Sequence, residues 1–118
     1  ELADVVAREH GHLHASADLG AAALLRLFER CDAIRRPARF THVLLACECD
    51  ARGREGRQWQ PYVPAARLPG LLQAALGVDT ATVAARATAR GQCGPAIGDA
   101  IHQARVAAVQ AALPAAAM

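Results

Sequence analysis

The apolar positions fall into helical stripes separated by short breaks. In the first segment Leu2, Val5, Val6 and Leu13 recur at helical spacing, and Gly11 is expected to weaken the end of that helix. Asp18 is suited to cap a second helix, whose broad apolar face is Leu24, Leu25, Leu27, Phe28 and Cys31 before Arg35, Arg36 and Pro37 stop it. Pro37 suits the first turn of a third helix, with Phe40, Val43, Leu44, Cys47 and Ala51 on one stripe. Residues 52–64, rich in glycine, proline and polar side chains, read as a long loop. The main helix beyond it is expected to begin near Pro69 or shortly before, and Gly77 ends it. Asp79 or Thr80 caps a short helix that Gly91 closes, and Pro95 opens a last one carrying Ile97, Ile101, Val106 and Val109. The pattern predicts an all-α fold of about five to six helices in one compact domain over residues 1–113, with 114–118 a frayed tail.

Composition agrees with helix: aromatic residues make up 3% of the chain, whereas alanine, leucine, arginine and glutamate abound. At 118 residues and 53% hydrophobic content the chain can bury one ordinary core. No run approaches the roughly 20 uninterrupted apolar residues of a membrane span, so a soluble chain without membrane partners is expected. The sequence opens on Glu1 and shows no secretory signal pattern, which reads as a piece cut from a longer chain. All 13 basic residues are arginine, and the net charge of +2 is too small to argue for nucleic acid by total charge. Only a local arginine cluster can carry that argument.

Cys31, Cys47, Cys49 and Cys93 make neither a CxxC pair nor a zinc-ribbon spacing. Reduced thiols in a cytoplasmic protein are the simplest reading. Successive helical residues turn by about 100°, so Cys47 and Cys49 face nearly opposite ways and cannot readily share a metal. Cys47 falls on the stripe of Phe40 and Leu44 and is expected to be a small buried hydrophobe, and the other three thiols are given the same role.

Arg52 and Arg54 stand where a helix should end; they can serve its exposed carbonyls, and Asp50 can pair with one of them. Alternatively Arg52, Arg54 and Arg57, with Arg35, Arg36 and Arg39, form a phosphate-binding patch. The two groups lie at opposite ends of the third helix, roughly 20 Å apart at 1.5 Å per residue, which suits a stripe along an RNA backbone rather than one anion pocket. His10 and His14, four apart, are at a spacing zinc tolerates, but neither Glu9 nor Asp18 completes a ligand pattern and Gly11 can break the helix between them. His42 and His102 are isolated and read as structural.

The stretch "LLRLFERCDAIRRPARFTHVLLACECDARGR" resembles the C-terminal region of the bacterial multifunctional CCA protein, the CCA-adding tRNA nucleotidyltransferase that carries an HD domain. The resemblance lies in Asp32-Ala33, in Arg36-Pro37 and in Glu48 to Arg54, continues through Tyr62 and Pro64, and closes with "GPAIGDAIHQARVAAV". It implies a parent enzyme that adds C, C and A to tRNA from CTP and ATP with magnesium. The Gly-Ser and Asp-x-Asp elements of that chemistry are absent here, so the segment itself is expected to need no cofactor and to be inactive alone. The family's HD domain implies phosphate-ester hydrolysis with nickel or another divalent metal. In "AREHGHLH" His10 and His14 match that region's histidines, and Gly11 stands where the family has an acid. The expected function is a helical module that scaffolds the parent and contacts tRNA weakly through Arg35, Arg36, Arg52 and Arg54. The alternatives are a phosphohydrolase remnant using His10 and His14, or a homodimerisation module.

Overall fold

The computed structural model describes residues 2–54 and 60–114. Among these the chain is all helix: α1 (Leu2–His14), a 3-10 turn (Ser16–Asp18), α2 (Ala21–Arg30), α3 (Pro37–Arg52), α4 (Val63–Leu76), α5 (Thr80–Ala89) and α6 (Pro95–Ala112). The most extensive pairings are α4 with α6, α5 with α6, and α1 with α3, and α2 packs against α6 at the centre. The result is a slab with principal extents of 57 × 41 × 18 Å. Arg57 and most of the expected tail, 115–118, lie outside the described residues, as does the middle of the expected loop.

Helix α2 supplies the centre of the core, because Leu24, Leu25, Leu27 and Phe28 are all fully buried. Phe28 meets Phe40 of α3 edge to face, with centroids 5.6 Å apart and planes at 82°. The stripe expected on α3 is interior: Phe40, Val43, Leu44 and Cys47 are buried, while Ala51 is half-buried. Leu68, Leu71, Leu72 and Ala75 of α4 close the core. On α6 only Val109 is fully buried among the described positions of its apolar face, and Ile97, Ile101 and Val106 are half-buried.

Several boundaries differ from those expected. Helix α1 runs unbroken through Gly11, where a Cβ would meet nothing within 4 Å because the position faces solvent. A glycine there forfeits about 1 kcal/mol relative to alanine, and burial of Val5 and Leu13 on either side outweighs it. Asp18 does not cap α2: the chain first makes the 3-10 turn, the Leu19 N–H bonds the Ser16 carbonyl at 3.1 Å, and Gly20 takes the N-cap. Helix α4 begins at Val63, six residues ahead of Pro69, which sits exposed inside it. Pro69 removes one backbone hydrogen bond at a cost of about 3 kcal/mol, but the buried stripe from Leu68 to Ala75 spans it and holds the helix together.

Other punctuation matches the sequence. Pro37 and Pro95 open their helices, Gly77 ends α4, and the Asp79 side chain caps α5 by accepting from Thr82 N–H at 3.1 Å. Helix α2 ends in a Schellman arrangement, with Ala33 N–H on the Phe28 carbonyl and Asp32 N–H on that of Glu29. That ending puts Asp32 at φ 57°, a left-handed conformation that aspartate tolerates better than most residues.

The four thiols divide in two. Cys31 and Cys47 are buried, whereas Cys49 and Cys93 are exposed, which corrects the expectation that all four pack as hydrophobes. Cys49 is turned out because Cys47, two residues before it, occupies the core side of α3. Burial pushes the Cys31 thiol up to about 12 and Cys47 up to about 11. Alkylation of the native chain near pH 8 is therefore expected to label Cys49 and Cys93 quickly and to leave Cys31 and Cys47 unlabelled until urea is added. Mass spectrometry of the peptides would read this out; rapid labelling of Cys47 would mean that α3 is oriented wrongly.

Candidate nucleic-acid interface

One acid on the apolar stripe of α1 organises the first cationic group. Glu9 lies between Val5 and Leu13 at helical spacing and is 2% exposed. Its carboxylate accepts from Arg30 Nε at 2.9 Å and from Arg8 Nε at 3.3 Å, and His12 Nδ1 stands 3.1 Å away. Burial alone would raise the carboxyl, but hydrogen bonding and charge from Arg30, joined by Arg8 and His12, reverse this and hold it below its usual range. This cluster ties α1 to α2 and was not expected from the sequence.

The expected arginine patch divides as its spacing implied. At the start of α3, Arg35, Arg36 and Arg39 gather on Asp32 at 3.8, 3.6 and 3.9 Å. At its end, Arg52 pairs with Glu48 at 3.1 Å and Arg54 with Asp50 at 3.6 Å, both one helical turn back. Arg52 and Arg54 thus take side-chain partners. All but Arg39 are substantially exposed, so these pairs are weak and leave guanidinium N–H groups free for phosphate oxygens.

The second group borders a cavity. A cleft of about 430 Å³ lies between the ends of α1 and α3 and the start of α4. Arg52 at the end of α3, Arg54 just beyond it and Arg67 on α4 line it, and among its described lining residues none is acidic. Ala51, Pro61, Val63 and Pro64 make its walls apolar, and His14 and Tyr62 line it as well. Arg67 donates to the Ser16 carbonyl at 3.1 Å, which locks α4 to the turn after α1. Tyr62, noted in the sequence only for the family resemblance, and Arg67, not singled out there, join the site only once α4 is known to start at Val63.

His10 and His14 share a face of α1, with ring centroids 5.9 Å apart. His10 Nδ1 faces the Val6 and Ala7 carbonyls at 3.0 and 3.1 Å, so it carries the proton and donates to its own helix. His14 Nε2 lies 3.1 Å from Asp50 and Nδ1 lies 2.8 Å from the Tyr62 hydroxyl. A carboxylate accepts, so in the neutral ring Nε2 donates to Asp50 and Tyr62 donates to Nδ1. The His14 bond, aided by the charge of Arg54, holds the Asp50 carboxyl below its usual range. Burial, with the nearby acids, pushes the Tyr62 phenol up. Among the described residues no three of His, Cys, Asp and Glu stand together as an ion would require. With both His14 nitrogens engaged, these side chains fit a brace joining α1, α3 and the start of α4 better than a ligand set. His42 is exposed, and His102 stands 3.5 Å from Glu29.

Comparison with known proteins bears on what this interface serves. The chain is 67% identical over 110 residues to the multifunctional CCA protein of Paracidovorax citrulli, a match covering 93% of this chain and 26% of that one. Against the multifunctional CCA protein of Variovorax paradoxus it is 62% identical over 114 residues, 97% of this chain and 27% of the relative. The chain is homologous to one segment of the multifunctional CCA proteins. The protein of that name from Burkholderia multivorans agrees, at 56% identity over 96% of this chain. The matched segment is the C-terminal region of these CCA proteins, and the chain spans about a quarter of the length of the curated relatives it matches. No protein-family model matches the chain, and no solved structure matches it. Among the described helices none is long and apolar enough by itself to cross a membrane.

Proposed function

We propose that the chain is the helical C-terminal module of a cytoplasmic tRNA CCA-adding nucleotidyltransferase. In this reading it scaffolds the parent enzyme and contacts the tRNA backbone. The observation that carries it is the near-complete match to the CCA proteins together with the exposed guanidinium groups at both ends of α3. Arg52 and Arg54 make the stronger contact, since they border the cleft; Arg35 and Arg36 form a second, outlying one. In this reading magnesium, CTP and ATP are handled by the rest of the parent enzyme, outside this segment. The role assigned to the residues here is to bind and orient RNA.

In the intact CCA protein, Arg52→Gln with Arg54→Gln is expected to raise the KM for tRNA about tenfold and leave kcat unchanged. The effect should be similar for all tRNA sequences, because phosphate contacts carry no sequence information. Steady-state kinetics of CCA addition measures it, and an unchanged KM would remove these arginines from the interface.

A further inference from the structure

The cleft holds more than a backbone-tracking stripe requires. A phosphate stripe needs exposed cations; here cations border an apolar hollow whose volume, about 430 Å³, lies within the roughly 300–1,000 Å³ of small-ligand sites. Three arginines line it, Arg52 and Arg54 at and just past the end of α3 and Arg67 on α4, which allows a single phosphate to be gripped from two sides. The walls of proline, valine and alanine, and the Tyr62 ring, suit a flat, weakly polar body rather than water. Gln60, also among the lining residues, offers an amide able to meet a base edge.

We propose that this cleft binds a nucleoside monophosphate unit, its phosphate on Arg52, Arg54 and Arg67 and its base against Tyr62 and the proline walls. The unit is either a free nucleotide or one unpaired nucleotide of an RNA; for that second source the proposal rests on the RNA-contact reading above. The ligand brings an anionic phosphate and a planar base to a site that is cationic and apolar. Arg67 has two duties there, since the guanidinium that grips phosphate also anchors the Ser16 carbonyl.

Isothermal titration of the whole chain with AMP, CMP, inorganic phosphate and adenosine tests this. AMP and CMP are expected to saturate one site, with phosphate alone and adenosine each at least about tenfold weaker, the loss that follows when one half of a two-part ligand is removed. Arg52→Gln, on the surface and harmless to packing, should weaken AMP about fivefold to tenfold; Arg67→Gln should do the same if its circular dichroism stays native. Arg90→Gln, remote from the cleft, should change nothing. No saturable nucleotide binding, adenosine binding as tightly as AMP, or an equal loss in Arg90→Gln would each overturn the proposal. A single-stranded RNA oligonucleotide that competes with AMP identifies RNA as the source. If AMP binds and no RNA competes, the nucleotide site stands and the RNA-contact reading is what fails.

Discussion

Phe28→Ala is expected to destabilise the chain by about 3–5 kcal/mol, a large part of the roughly 5–15 kcal/mol available to a domain of ordinary stability. Phe28 is 0% exposed on the most deeply buried helix, and its ring meets Phe40 edge to face at 5.6 Å. Truncation removes that pairing and leaves a cavity in the buried core cluster, which a close-packed interior fills only in part. Phe28→Leu keeps most of the volume and should lose only about 1–1.5 kcal/mol. Urea unfolding of the three proteins measures both, and the midpoint should fall with the slope preserved. A midpoint within error of the parent for Phe28→Ala would show that α2 is not central.

Glu9→Gln is expected to lose about 2 kcal/mol at neutral pH. The amide cannot carry the charge that draws Arg30, Arg8 and His12 together, although these partners are exposed enough to return to water, which keeps the loss below that of a fully buried pair. The folded carboxyl titrates below its ordinary 4.5. The unfolded chain therefore binds the proton first, so the contribution is complete above that pH and disappears as pH falls through the folded value. Urea midpoints of the two proteins should differ at pH 7 and converge in acid. A difference that persists unchanged at low pH would mean that size or shape, not charge, is what the site needs.

Much of this was legible along the chain, for reasons tied to particular residues. The α3 stripe and the proline that opens it are local patterns, and so is the pairing of Asp50 with Arg54 one turn on, whereas the Arg52–Glu48 pair went unread although it has the same spacing. Two local signals misled. Pro69 and Gly11 are helix breakers by propensity, but each sits on a solvent face while buried side chains on the opposite face hold the helix. Propensity is a local energy of about 1–3 kcal/mol, and packing of several leucines exceeds it. The Glu9 cluster and the His14 brace were invisible for another reason. Glu9 meets Arg30 across 21 residues, and His14 meets Asp50 and Tyr62 across 36 and 48. Such partners emerge only when α1 is laid on α2 and α3.

The most direct test of the proposed role is the salt dependence of tRNA affinity, measured by fluorescence anisotropy for the chain and for Arg52→Gln and Arg54→Gln. The account predicts that log affinity falls linearly with log salt and that each substitution shallows the slope by roughly one unit. An affinity indifferent to salt, or variants with the parent's slope, would contradict it.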